Sequence, residues 1–429
     1  MKKTILYGKQ TSSALENFPF DYHKVQKEFV YAIVMVKKAA AIANHKAGNL
    51  DKKIADRITF ACDDILKGKY DNQFIVSAHH GGAGTSVNMN VNEVIGSLAG
   101  AHPNDHVNAS QSTNDVNPSA LKIASIKLTE KLLRTIDHLV LVMDGKSREW
   151  RNIRKLGRTH LQDAVPTTLG AEFGSYRDII KRDRKRISDA IGYFDELNLG
   201  GTAIGNSINS SKKYIENIYP ELRKATGIKT LKPLENLMTG TSSDADFCHL
   251  SAAVTILCND LSKISSDLRF MTSGPLGGIG EIYFKELQPG SSIMPGKVNP
   301  VVAETMNQTH YLVSGKNLSI HQAAEASCLE LGVMLPIIAD SLITSLKLTE
   351  TAVRIFADKG IENIVVNGKR CLEHLEKSTA YSTLLTPKLG YDAVSKMVKE
   401  AVSTGKTLRE IVLAKKIMTN EEFDKITSF

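Results

Sequence analysis

Apolar residues recur along this chain with the spacing of buried helices. From Val25 to His45 the residues Phe29, Val30, Ile33, Val34, Val36, Ala39, Ala40, Ile42 and Ala43 leave almost no polar face, which predicts a helix packed on all sides within a bundle. A second stripe, Leu121, Ala124, Leu128, Leu132, Ile136, Leu139 and Met143, predicts a long helix beginning after Asn117-Pro118-Ser119, with Pro118 near its start. Leu250, Val254, Leu257, Leu261, Ile264 and Leu268 alternate steps of four and three, a coiled-coil-like seam, and Gly274-Pro275 stops that helix. Pro336 is the only proline between Val301 and Asp358, so one or two further long helices are expected there, with a kink at the proline.

Strand-like alternation is confined to short stretches, and the chain reads as all-α. Long antiparallel helices of this kind build an up-and-down bundle. We expect a central helical-bundle domain over 114–368, an N-terminal domain over 1–113 and a small C-terminal helical domain over 369–429, divided near Val365-Val366-Asn367-Gly368. The C-terminal part ends in Lys406-Thr407-Leu408-Arg409-Glu410-Ile411-Val412 and Thr419-Asn420-Glu421-Glu422, the patterns of two short capped helices. Seams on more than one face exceed what one bundle needs and point to oligomerisation.

Composition narrows the class. At 429 residues, 42% hydrophobic and 23% charged, this is a soluble globular chain of more than one domain. Met1–Gly8 holds no apolar run of signal length and no 18-residue apolar segment occurs, so a cytoplasmic protein with no membrane association is expected. Five cysteines without a CxxC pair fit reduced thiols. The net charge of +8 is spread out, and its densest cluster, Lys181–Arg186, is diluted by Asp178 and Asp189. That is a solvated helix face whose mild field draws in small dianions, with no case for nucleic acid.

Four polar clusters interrupt the helices. In Gly81-Gly82-Ala83-Gly84-Thr85-Ser86 the glycines admit a ligand close to the backbone, and Thr85 and Ser86 open a helix whose amides favour anions. His102-Pro103-Asn104-Asp105-His106-Val107-Asn108, followed by Ser110-Gln111-Ser112-Thr113-Asn114-Asp115, carries more short hydrogen-bonding side chains than capping requires. Its two histidines lack a ligand set of metal-site spacing, so no metal is assigned. Gly157-Arg158-Thr159-His160 places a histidine beside a threonine and an arginine, ahead of a helix expected to start at Pro166. Gly290-Ser291-Ser292-Ile293-Met294-Pro295-Gly296-Lys297-Val298-Asn299-Pro300 offers two hydroxyls, a lysine and an asparagine in a bendable loop, with Glu304 one helical turn beyond.

These clusters lack a thiol nucleophile, a phosphate loop and a dinucleotide fingerprint. They suit a small dicarboxylate that reacts at the carbon next to a carboxylate. Removing that C–H proton creates an aci-carboxylate carrying nearly two negative charges, which Lys297, Asn299 and backbone amides can stabilise as a preorganised oxyanion site. Ser291 can take the proton if those dipoles lower its pKa, and a closing loop helps by excluding water. Elimination of the β substituent then needs no organic cofactor.

In this order the clusters resemble the signature regions of the aspartase/fumarase superfamily over almost the whole chain, most specifically at Gly290–Pro300. The resemblance implies a homotetramer around a core of about twenty helices, with each active site drawn from three subunits. Carried over by position, Ser291 matches the catalytic base, Lys297 and Asn299 carboxylate binders, and Ser292 a donor to the substrate. Thr85, Ser112, Thr113 and Asn114 match the cage around the other carboxylate and the leaving group. Thr159 and His160 match the third signature, with Glu304 the partner that orients the histidine.

Leu15-Glu16-Asn17-Phe18-Pro19, Val34–Ala41, Asp71–Val76 and Pro300–Glu304 are similar to aspartate ammonia-lyases where class II fumarases differ. The resemblance therefore implies reversible deamination of L-aspartate to fumarate, with class II fumarase and a lyase for a related amino-dicarboxylate as alternatives. Three departures bear on substrate choice and on activation by an effector or a divalent ion. Gly332 and Leu335 stand where the family motif has asparagine and glutamate, and Leu276 stands where it has arginine. The chain is also shorter than the family norm at both ends and between Ala99 and His102.

Overall fold

The computed structural model describes residues 5–428. Helices carry most of that length, and among the described residues three two-stranded sheets are the only ones. No helix among them is long and apolar enough to cross a membrane. The chain forms two units. One takes the described residues up to Arg134 with Asp183–Cys258 and Thr309–Glu350; the other takes Thr135–Arg182, Asn259–Gln308 and the rest from Thr351.

In the first unit the Lys27–Ala47 helix buries Phe29, Ile33, Val36, Ala40 and Ala43, and packs against the Lys52–Leu66 and Lys212–Thr226 helices. It ends where Gly48 turns left-handed at φ 82° and returns its N–H to the Asn44 and His45 carbonyls. The seam of the Ala245–Met271 helix is as expected: Leu250, Val254 and Leu257, in this unit, and Leu261, Ile264 and Leu268, in the second, are all 0% exposed.

The second long helix corrects the sequence reading. It starts at Thr113, and Pro118 lies inside it. Ser112 supplies the cap: its Oγ accepts the Asn114 N–H at 3.2 Å, while Asp115 Oδ1 accepts the Ser112 N–H at 2.9 Å. Proline has no N–H, so Pro118 leaves the Asn114 carbonyl without its helical donor. Asn198 Nδ2 takes that carbonyl at 3.1 Å. The apolar stripe starts later than the helix because the first turn faces a polar network.

Pro336 is corrected as well. The chain stops after the Val301–Glu325 helix and restarts at Leu335, so the proline begins a helix instead of kinking one. In the second unit Pro166 sits within a strand. Arg154–Thr159 (β1) pairs antiparallel with Gln162–Thr168 (β2), and the helix expected at Pro166 begins at Leu169. At the C-terminus the Leu408–Ala414 and Asn420–Thr427 helices open with full capping boxes, Thr407 with Glu410 and Thr419 with Glu422. Leu375, Tyr381, Leu385, Leu408, Ile411 and Phe423 form their shared core.

Asn198 also accepts from Ser119 Oγ at 3.1 Å and donates to Thr241 Oγ1 at 2.9 Å. Asn198→Leu should therefore strand several buried polar groups and cost about 2–4 kcal/mol. Urea denaturation followed by circular dichroism measures this; an unchanged midpoint would show that the Asn114 carbonyl finds another donor.

Candidate active site

In the first unit the structure brings the first two polar clusters together. Gly84, at φ 87°, precedes the Thr85–Ala99 helix, and its carbonyl accepts Asn117 Nδ2 at 3.0 Å. An added Cβ at Gly84 would stand 2.3 Å from that nitrogen, so glycine is required by the contact as well as by the backbone angle. One turn on, Asn88 Nδ2 donates to Thr113 Oγ1 at 3.2 Å. Thr85 is exposed with its hydroxyl donated to the Gly82 carbonyl at 2.8 Å, and Ser112, Thr113 and Asn114 are half-buried. The amide of Asn114 donates to the Ala203 carbonyl at 2.8 Å, which leaves its side-chain oxygen as an acceptor.

Behind this wall lies a hub that the sequence reading passed over. Asn108 Oδ1 accepts from Lys37 Nζ at 2.7 Å, Asn92 Nδ2 at 3.1 Å and Asn88 Nδ2 at 3.3 Å. Lys37 is 0% exposed. Burial pushes its ammonium down to about 7, against the pull of Asp115. Burial likewise raises the Asp115 carboxyl to about 6, against N–H donors from Ser112, Thr202 and Gly200. The available signal was a lysine between the apolar runs Val34-Met35-Val36 and Ala39-Ala40-Ala41 of a helix apolar on nearly every face, where a polar residue has no cheap location.

His102 and His106 serve the local backbone: His102 Nδ1 accepts from the Asp105 N–H at 3.1 Å and His106 Nδ1 from the His102 N–H at 3.0 Å. Among the described residues no group of three or more His, Cys, Asp or Glu side chains could hold a metal ion.

In the second unit Thr159 and His160 occupy the exposed tip of the β1–β2 hairpin. His160 and Leu161 form its two-residue turn at φ 51° and 64°, a left-handed conformation normally given to Asn-Gly. Bulky side chains held there are strained, and such strain collects at functional sites. The hairpin's base is fixed by charge. Glu281, 0% exposed, accepts Arg158 Nη1 at 2.9 Å and His374 Nδ1 at 2.9 Å, and pairs with Lys155 Nζ at 3.2 Å. Lys155 also meets Glu172 at 2.8 Å. Burial alone would raise the Glu281 carboxyl, but Lys155, His374 and Arg158 outweigh it and hold it below the usual carboxylate range.

The Gly290–Pro300 loop belongs to the same unit. Asn299 Nδ2 donates to the Gly290 carbonyl at 2.9 Å, and a Cβ on Gly290 would stand 2.0 Å from the Lys297 carbonyl oxygen. The loop is thus tied neck to neck. Ser291 Oγ accepts N–H groups from Ile293 and Met294, each at 3.2 Å. Among the described residues the side chains of Ser292 and Lys297 have no polar partner, and both residues are exposed. Glu304, in the first turn of the next helix, accepts only from Gln308 Nε2 at 3.0 Å. Within this unit no hydrogen bond joins His160 to Ser291 or to Glu304.

Comparison with known proteins follows the same geometry. A lyase family model matches residues 2–315, and one for the fumarase C C-terminus matches 382–429. The aspartate ammonia-lyase of Bacillus subtilis is 42% identical, covering 98% of this chain and 91% of its own. A class II fumarate hydratase of Chlamydia caviae is 38% identical over 98% of this chain and 94% of its own. Among solved structures, a fumarate lyase:delta crystallin from Brucella melitensis bound to cobalt superposes with a TM-score of 0.94 at 39% identity, covering 99% of this chain and 95% of that one. The class II fumarase of Schistosoma mansoni also gives 0.94, at 33% identity over 100% and 95% of the two chains.

A carboxyl held below its unfolded value of 4.5 stabilises the fold above that pH and loses its contribution as pH falls through the lower, folded value. Glu281→Gln should remove that part of the acid dependence. At neutral pH it should cost about 3–5 kcal/mol, because Lys155 and Arg158 lose their buried partner. Thermal melts from pH 7 down to pH 3 read both effects, and parallel curves for the two proteins would contradict this account.

Proposed function

The chain belongs to the lyase family that takes in aspartate ammonia-lyases and class II fumarate hydratases, and we propose that it deaminates L-aspartate reversibly to fumarate and ammonia. The observation that carries this reading is the state of the Gly290–Pro300 loop. Ser291 Oγ already accepts two backbone N–H groups, an arrangement that favours a serine oxyanion over the neutral hydroxyl. The Lys297 ammonium stands exposed with no partner among the described residues.

In the proposed reaction Ser291 takes the proton from the carbon beside one carboxylate. The electron pair moves into that carboxylate, giving the aci form, which Lys297, Asn299 and Ser292 stabilise. The pair then returns to form the double bond, the C–N bond breaks, and the ammonium group leaves as neutral ammonia. Thr85, Ser112, Thr113 and Asn114 hold the other carboxylate and the leaving group, and Thr159 and His160 complete the site, with Glu304 orienting the histidine. No organic cofactor takes part.

We further propose that the working form is a cytoplasmic homotetramer whose sites are shared by three subunits. The hairpin tip with His160 has no partner inside its own unit. Tyr311, Leu312 and Leu318 also lie 58–65% exposed on one helix, apolar surface suited to burial against other copies. Class II fumarase is the second reading, favoured by the 38% identical hydratase.

Purified protein incubated with L-aspartate should develop the ultraviolet absorbance of fumarate. Activity on malate with none on aspartate would replace the first reading by the second. Ser291→Ala should lower kcat by about 10²- to 10⁴-fold.

A further inference from the structure

Thr113 and Asn114, on the leaving-group side of the proposed site, border a small pocket in the first unit. Thr113, Asn114, Thr241, Asp244, Gly332 and Leu335 line a cavity of about 10 Å³, room for one water-sized molecule. One wall is a carboxylate. Asp244 is only 6% exposed, and its Oδ2 accepts from Ser327 Oγ at 3.2 Å. Oδ1 accepts no hydrogen bond among the described residues, and the carboxylate forms no ion pair there. Lys122 contributes attraction, yet its ammonium is engaged with Asp246 at 2.6 Å, the Glu196 carbonyl at 2.8 Å and the Tyr193 carbonyl at 3.3 Å.

Glycine at 332 makes this placement feasible. A Cβ there would stand 2.4 Å from Asp244 Oδ2, and the Gly332 N–H is fixed to the Thr241 carbonyl at 3.0 Å. Any side chain at this position, one of those where the chain departs from the family motif, would displace the carboxylate. A buried carboxylate without a cation is costly unless something supplies one. Burial raises Asp244 to about 6, so it is still ionised at neutral pH. Of the remaining lining, the side-chain oxygen of Asn114 is an acceptor with no bond among the described residues, and Thr113 Oγ1 keeps one lone pair beside the bond it accepts from Asn88; the rest is largely apolar.

The occupant this describes is a cation the size of water with several donors. We infer that the cavity is an ammonium subsite, and that Asp244 is a specificity-determining residue that selects ammonia over water as the leaving group. This rests on the deamination reading and adds to it a binding group on the far side of Thr113 and Asn114.

Fumarate amination, with ammonium varied at saturating fumarate, tests it. Asp244→Asn should raise the KM for ammonium about tenfold or more, equivalent to ~1.4 kcal/mol, and leave the KM for fumarate within about twofold. Gly332→Ala keeps the charge but crowds the carboxylate, and should move the same constant in the same direction. It also decides the matter if Asp244→Asn does not fold. An active variant pair with unchanged ammonium KM, or with both constants raised equally, would overturn the inference while the deamination reading stands. Wild-type protein that aminates no fumarate at any ammonium concentration would instead remove that reading and the subsite with it.

Discussion

A lysine with no solvent exposure, Lys37, lies in the middle of an apolar helix, and the fit of the first unit's polar wall depends on how that charge is met. The carboxamide oxygen of Asn108 meets it and also gathers Asn88 and Asn92 from the Thr85–Ala99 helix. Two helices and a loop are therefore indexed to one oxygen atom. A buried ammonium tolerates little displacement of its acceptor, because each lost bond leaves a desolvated charge. Thr113 inherits that rigidity through Asn88, and Asn114 through the Asn198 bond that answers Pro118.

The second unit solves the same problem with opposite charge. Glu281 is the buried acceptor; Lys155, Arg158 and His374 converge on it, and the hairpin they fix carries Thr159 and His160 out into solvent. Fixing the base firmly is what allows the tip to hold non-glycine residues at positive φ. The Gly290–Pro300 loop contrasts with both. It is closed by one side-chain bond at its neck and largely exposed, as suits the closing role proposed for it.

These differences assign distinct work to the groups. The parts proposed to bind and orient a dicarboxylate are built on buried polar hubs, where preorganised dipoles act without reorganising. The proposed proton acceptor, Ser291, is placed on the largely exposed Gly290–Pro300 loop. The Asp244 cavity belongs with the rigid parts, since its carboxylate is held by Ser327 and by the space that Gly332 leaves.

The helical class, the Ala245–Met271 seam, the two C-terminal capping boxes and the family signature at Gly290–Pro300 were legible in the sequence alone. Each is written locally, in a period, a cap or a run of adjacent residues. Pro118 misled as a helix start because a non-local partner intervened, Asn198 answering for it from a distant part of the chain, and Pro166 because it lies in a strand. The hairpin at His160 was invisible because its turn lacks the Asn-Gly signal and is held by ion pairs at its base. Lys37, Glu281 and Asp244 became meaningful only in three dimensions. What a buried charge does depends on which partner reaches it, and that partner lies tens to hundreds of positions away, where the pattern of neighbouring residues carries no trace of it.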